Sequence, residues 1–341
     1  MGKGMIAVVI LIAAGYVNPA RGQASATTLV VGLENVVEYQ MDTTDLSKWG
    51  ANPNITSSKA AQGMGVGCTD IPTVIYGDIV SVNGDPARGT YVARGTGVCL
   101  SPTPTAGLNA IADITAGSLR DETYYILQSD GVTPIGTIMV NGLYGSVSPR
   151  PPGPPPGGQN LAIVGGTGAY LGARGQKGSG NGGITNLREA SITEDPANRR
   201  QNGGGHGFFT FYVIPMFRPE VVITPNGPAV THSNDFSLVS PTKSATAGEI
   251  LSLFATGLGP TRASLAPGQP FPSSPLAVVN SPVAVTVNGE AAEVLSAVGY
   301  PGAVDGYQVN FRVPPDTPKG PASIQVTAAW IPGAPVSITV Q

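Results

Sequence analysis

Residues 160–175 read Asn-Leu-Ala-Ile-Val-Gly-Gly-Thr-Gly-Ala-Tyr-Leu-Gly-Ala-Arg-Gly, an apolar, strand-like run that meets a glycine turn and continues into a second strand. Gly166-Thr167-Gly168 has the start of a dinucleotide-binding fingerprint, which requires glycine where Leu171 stands and a helix beyond it. The chain continues instead through Gly172, Gly175, Gly178, Gly180, Gly182 and Gly183. That density would cost a helix roughly 1 kcal/mol per glycine relative to alanine. The stretch therefore reads as a β-hairpin rather than a phosphate loop, with Gly165, Gly166, Thr167, Gly168 and Gly175 as its structural residues.

Outward from this hairpin, the same kind of segment recurs. Asn35–Met41, Val74–Val82, Gly89–Leu100, Thr123–Gln128, Ile135–Leu143, Asn160–Val164, Tyr170–Gln176 and Gly207–Ile214 are short, rich in Val, Ile, Tyr, Phe or Thr, and bounded by Gly, Pro, Asn or Asp. Eight such strands can close into a small antiparallel barrel, which removes the edges that invite aggregation. No segment here has a convincing helical period. The proline run Pro149–Gly158 reads as a stiff extended loop between strands, with a domain linker or a proline-rich ligand as the alternatives. The glycine-rich stretch from Gly178 to Gly205 also reads as loop.

Pro215, Pro219 and Pro225 mark a boundary, since proline interrupts strand pairing. Beyond it, Glu249–Ala255, Val283–Val287, Tyr307–Val313, Ser323–Thr327 and Val336–Val340 alternate at sandwich-like spacing, and Asn288-Gly289 is a hairpin turn signal. The predicted fold is all-β: residues 1–26 as an export signal, a closed antiparallel barrel of about eight strands over 27–216, a linker over 217–225, and a β-sandwich over 226–341.

The export reading rests on Lys3, the apolar stretch Met5–Ala14, and the small-residue site Ala24-Ser25-Ala26. The apolar run is short for a bilayer of about 30 Å, although a retained anchor is the alternative reading. Export implies a secreted or cell-surface protein. Cys68 and Cys99, the two cysteines of the chain, then read as one disulfide in an oxidising compartment, worth roughly 3–4 kcal/mol; a redox pair would want closer spacing. Setting aside Lys3 and Arg21 from the 18 basic residues, against 21 acidic ones, leaves a net charge of about −5, which argues against a nucleic-acid partner. Only 11% of residues are charged, while 47 glycines and 32 prolines accompany 41% hydrophobic residues, a balance that suits many turns between short strands.

Chemistry is sparse. His206 and His232 are the only histidines, too few ligands for a metal site, and no Gly-x-Ser-x-Gly elbow supports a hydrolase triad. No metal and no cofactor is expected. Glu34, Glu38 and Asp42 have the even spacing that places residues on one face of a regular strand. Facing an apolar lumen, they would have raised pKa values and could move protons; facing out, they are solvated. Tyr39, Tyr91, Tyr125 and Tyr170 are strand aromatics that would either pack the barrel or line a mouth suited to a hydrophobic or phenolic ligand.

The glycine hairpin resembles the signature of the dirigent and allene oxide cyclase barrel superfamily, an apolar-Val-Gly-Gly-Thr-Gly-x-aromatic-x-x-Ala-Arg-Gly segment. Val37-Glu38-Tyr39-Gln40-Met41-Asp42, Arg88–Gly97, Thr137–Gly142 and Phe208–Val213 are similar to other strands of that family. The resemblance implies a barrel over about Leu29–Met216 that steers cyclisation or radical coupling of a bound molecule, with Asp42 and Arg174 as candidate catalytic residues, in a trimer. Arg174 equally suits a structural tie, because a buried Arg needs a partner. The proline insert, the long glycine loop and the absence of histidine before Asp42 depart from plant dirigent sequences. Downstream, Gly248–Pro260, Val285–Ala292 and Tyr307–Pro314 resemble a C-terminal immunoglobulin-like domain of secreted acidobacterial proteins, which implies surface presentation. Two functions are compatible with these features: a barrel that binds and orients a hydrophobic or phenolic molecule, or a noncatalytic surface or adhesion protein whose domains are display modules. A hollow, tyrosine-lined lumen would mark the first, and a packed one the second.

Overall fold

The computed structural model describes residues 26–40, 73–98, 117–144, 161–191, 194–195, 197–262, 265–266 and 268–341. The stretch read as an export signal, up to residue 25, together with Asp42, Cys68, Cys99 and the proline run Pro149–Gly158, lies outside the described residues.

The N-terminal half is built from β1 (Thr27–Gln40), β2 (Thr73–Val82), β3 (Asp85–Val98), β4 (Gly117–Leu127), β5 (Pro134–Tyr144), β6 (Leu161–Gly168), β7 (Arg174–Thr185), β8 (Arg188–Ser191) and β9 (Gly205–Ile214). Each neighbour in the order β1-β2-β3-β4-β5-β6-β7-β9 pairs antiparallel, and β9 pairs back onto β1, so the eight strands close into a barrel. All eight strands expected from the sequence are present, most of them longer than the alternating pattern alone marks. Leu29, Val31, Leu33, Ile75, Ile79, Tyr91, Tyr124, Ile126, Ile138, Phe209 and Phe211 form the core inside the ring.

Three expectations need correction. The stretch Gly178–Gly205 is not simply loop. β7 runs through its glycines to Thr185 with a bulge between Gly178 and Gly183, β8 then lies parallel along Val37–Gln40 of β1, and Asn198–Gln201 forms a single helical turn, α1. Side chains fix this segment where glycine cannot: Arg188 is paired with Glu194 at 2.7 Å, and Arg199 and Arg200 of α1 both hold Asp78. Tyr170, expected at the start of a strand, sits in the turn between β6 and β7. Finally, Glu34 and Glu38 do not share a face. Asn35 adopts φ 51° at a bulge in β1, so Glu34 stands beside Asp78 and Glu38 beside the core residue Ile75. One inserted left-handed residue reverses the alternation on which the expectation rested.

The signature glycines have a steric cause. A Cβ on Gly166 would lie 2.4 Å from the Tyr170 carbonyl oxygen and 2.5 Å from that of Thr137, because the turn folds back over β5. Gly168 (φ 62°) lets the chain leave β6, and Thr167 Oγ1 meets Thr137 Oγ1 at 2.7 Å. At Gly175 a Cβ would meet the Tyr212 carbonyl oxygen at 1.9 Å, whereas Gly165 has no such constraint.

The C-terminal half comprises β10 (Glu220–Val221), β11 (Ile223–Thr224), β12 (Gly227–Pro228), β13 (Val230–His232), β14 (Ile250–Thr256), β15 (Val283–Val287), β16 (Glu290–Gly299), β17 (Tyr307–Arg312), β18 (Gly320–Ala328), β19 (Ile331–Pro332) and β20 (Val336–Val340). Most of these strands form a second, curled sheet in the order β10-β14-β17-β16-β15-β18-β19, with β13 added on β14 and β20 on β18, while β11 and β12 pair as a separate ribbon. The sheet bends at β16, whose first residues pair with β15 and whose remainder pairs with β17 across a bulge at Val294 and Ser296. Leu251, Leu253, Val285, Val309, Phe311, Ile324 and Val326 fill the space it encloses. The Asn288-Gly289 turn forms as expected, at φ 53° and 85°. Glu220 and Val221, within the stretch read as linker, already pair with β14.

The two halves interlock. The two-residue turn Ala329-Trp330 joins β18 to β19 with both residues at positive φ, 48° and 61°. Such a turn is ordinarily made by Asn and Gly, and each L-residue held there costs about 1–2 kcal/mol. Docking offsets the strain. Ala329 and Ile331 are buried in the core of the barrel rather than in that of their own sheet. The Trp330 indole N–H donates to Asp85 Oδ2 at 2.8 Å, and the Tyr170 hydroxyl reaches the Ala329 carbonyl at 3.4 Å. Arg218 ties Thr27 to Pro332, Arg262 donates to Thr133, and Gln128 donates to the carbonyl of Asn280. One end of the barrel is thereby stoppered. Gln40, Val98 and Tyr144, the last residues of β1, β3 and β5, mark the opposite end.

Candidate functional site

The lumen is where the fold would place a ligand, and its inner wall is set by alternation. In β4, Glu122, Tyr124 and Ile126 are spaced two apart and point inward; in β7, Lys177 stands beside the core residues Leu161 and Phe211. Lys177 Nζ lies 2.9 Å from Glu122 Oε2, and neither side chain touches solvent. Tyr124 donates its hydroxyl to the same oxygen at 2.7 Å, and the ammonium sits 3.4 Å from the centre of the Phe209 ring. Burial lowers the pKa of Lys177, and the Glu122 charge opposes that shift. Burial, followed by the Glu122 charge, pushes the Tyr124 hydroxyl well up. The cluster is a positioned cation, carboxylate and phenol in a dry aromatic box.

Around it, among the described residues, aromatic and aliphatic side chains pack the lumen. The Tyr91 and Tyr124 rings stack at 4.9 Å between centroids, Phe211 meets Tyr124 edge-on at 4.8 Å, and Phe209 meets Tyr91 at 5.9 Å. Leu29, Leu33, Ile79, Ile126, Ile135 and Ile138 are fully buried beside them. At the stoppered end, Tyr170 closes the floor, and its hydroxyl is also raised by burial.

The four tyrosines singled out in the sequence are not brought together. Tyr91 and Tyr170 are lumenal but at different depths. Tyr39 packs on Tyr76 at 6.1 Å, next to Val37 and β8, on the outer side of β1. Tyr125 is 51% exposed on the outer wall. Arg174 is exposed at the stoppered end and donates to the carbonyls of Val164 at 2.6 Å and Ala173 at 3.1 Å, a tie across the hairpin. His232 bonds to Glu249 and to the Lys243 carbonyl inside the second sheet, while His206 faces Thr185.

Sequence reasoning missed Glu122, Lys177 and Asp78. A Glu two residues before Tyr124 and four before Ile126, on the strand face it shares with Arg120, was a visible signal for the first. Lys177 sits in a glycine run with no pattern to orient it. Asp78 lies on the outer wall, 9% exposed, and receives Asn35 Nδ2 at 3.0 Å, Arg200 Nε at 2.9 Å and Arg199 Nη2 at 2.5 Å. Burial raises its carboxyl, but the bonds from Arg200, Arg199 and Asn35 outweigh burial and hold it at about 2. It forms part of a polar cleft of about 520 Å³ on the outside of the barrel. No helix among the described residues is long and apolar enough to cross a membrane. No protein-family model matches this chain, and no curated protein matches it.

Proposed function

We propose that this is a noncatalytic, exported binding and display protein, in which the barrel is a rigid platform and the curled sheet is an immunoglobulin-like module that presents it at a surface. The observation that carries this reading is the lumen, packed among the described residues and stoppered at one end. Aromatic and aliphatic side chains occupy the space a ligand would need, and the Ala329-Trp330 turn blocks one entrance. A platform needs rigidity more than a cavity, and a docked pair of domains provides it. The export signal and the Cys68–Cys99 bridge expected from the sequence suit an extracellular setting. Native mass spectrometry of the secreted protein tests the proposal: the expected spectrum has no copurifying hydrophobic or phenolic molecule and no free thiols.

One observation favours a second reading, in which the barrel belongs to the dirigent and allene oxide cyclase superfamily and orients a hydrophobic or phenolic molecule. The Lys177–Glu122–Tyr124 cluster is a costly arrangement for mere packing, and buried, perturbed groups of this kind are frequent at reaction sites. A bound phenolic ligand in a trimer, lost on Glu122→Gln substitution, would replace the display reading with this one.

A further inference from the structure

The outer wall carries the other concentration of polar groups. One lateral row crosses four strands: Glu34 of β1 stands beside Asp78 of β2, Asp78 beside Thr90 of β3, and Thr90 beside Tyr125 of β4. Above this row, Arg200 of α1 on one side and the turn Ser129–Gly131 on the other enclose the cleft of about 520 Å³, which Arg88 also lines. The volume falls within the usual range for small-molecule sites, but those are mostly apolar and this lining is mostly polar.

The groups in the cleft divide into those already engaged and those left over. Asp78 is saturated by Asn35, Arg199 and Arg200. Asp130 is spent on its own turn, accepting from the Val132 and Thr133 backbone amides and the Thr133 hydroxyl. Glu34 and Arg88 are both exposed, and among the described residues neither has a side-chain partner. A ligand that completes this cleft must offer acceptors to a guanidinium and donors to a carboxylate. Hydroxyl groups do both, and a carboxylate on the ligand would meet Arg88 in the two-bonded geometry that guanidinium favours. Outside the lining, on the strand next to Thr90, the exposed ring of Tyr125 offers a flat apolar face with a polar tip.

We propose that this cleft binds an acidic saccharide, a hydroxylated ring carrying a carboxylate, with Arg88 on the carboxylate, Glu34 and Thr90 on hydroxyls, and Tyr125 against the ring. The inference rests on the display reading and names what the platform holds. It does not involve the lumen.

Isothermal titration of the full-length secreted protein with trigalacturonate and with its methyl ester tests it. The acid should bind and the ester about tenfold more weakly. Arg88→Gln should weaken the acid by a similar factor and abolish the preference, and Tyr125→Ala should weaken both probes several-fold. Arg88 is exposed and unpaired among the described residues, so its substitution should leave the unfolding temperature unchanged, a control that separates lost binding from lost folding. No heat with either probe up to about 10 mM, or binding indifferent to Arg88→Gln, overturns the inference. Retention of the same protein on isolated cell envelopes, measured in parallel, separates the two levels. Retention without trigalacturonate binding sinks the cleft assignment and leaves the display reading standing, whereas absence of both sinks both.

Discussion

On the inner face of the barrel wall, Lys177 and Glu122 are paired without solvent, whereas on the outer face Asp78 is held by two arginines, one of which, Arg200, has 71% of its side chain in water. The inner pair has a single geometry and no water to fall back on. Its desolvation cost is of the order of its attraction, so the pair adds little net stability while making the loss of either partner severe. The outer cluster gains less from each bond but was never fully dehydrated, so it stabilises and can still be rearranged. Oppositely charged groups on the two sides of one strand layer thus differ in consequence: the inner pair is costly to break on one side, and the outer one pins α1 to β1 and β2.

The largest expected effect comes from breaking the inner pair on one side. Lys177→Met should cost about 3–5 kcal/mol in urea unfolding, because Glu122 is left charged and buried. Adding Glu122→Leu should restore most of that loss; a double variant no better than the single would show that the cost was packing and not charge. Next comes the outer cluster, where Asp78→Asn should cost about 2 kcal/mol near neutrality. The sign is fixed by the lowered carboxyl: its contribution is complete above the unfolded value near 4, and is lost as pH falls from about 4 to about 2. The stability difference between wild type and Asp78→Asn should close over that window, and a difference that persists at pH 2 would count against the assignment.

A smaller change of a different kind is expected from replacing Ala329-Trp330 by Asn-Gly. This relieves about 1 kcal/mol or more of turn strain but removes the Trp330 contacts with the barrel, so calorimetry should show one coupled transition separating into two. Least of all, Arg174→Ala should cost only about 0.5–1 kcal/mol, the worth of its exposed hairpin bonds, and leave any binding activity unchanged. A large loss of binding would restore Arg174 to a functional role.

Much of the fold was legible because alternation, turn residues and the glycine hairpin all agree over the same segments. Gly166 and Gly168 mark the β6–β7 turn for steric reasons that surface in the sequence as a motif. Three things escaped for identifiable causes. The bulge at Asn35 is one residue that inverts the faces of everything after it, so Glu34 and Glu38 could not be assigned to one side by counting. β8 and α1 carry no periodic pattern, being held by Arg188, Arg199 and Arg200 through side-chain contacts. The docking turn was hidden most thoroughly, since Ala-Trp is not a hairpin dipeptide by propensity and forms one only because the barrel receives it. The candidate site was legible in location but not in content: the lumen was anticipated, while the residues that occupy it were expected to line it.

The interlocked turn also constrains when this protein can finish folding. Ala329 and Ile331, which complete the barrel core, follow the first barrel strand, which begins at Thr27, by about 300 residues. A chain emerging N-terminus first therefore holds a ring with an uncovered apolar end until the distant Ala329-Trp330 turn has been delivered. Maturation of the barrel is set by arrival of that turn, and a product terminated before it would present the bare end to its neighbours.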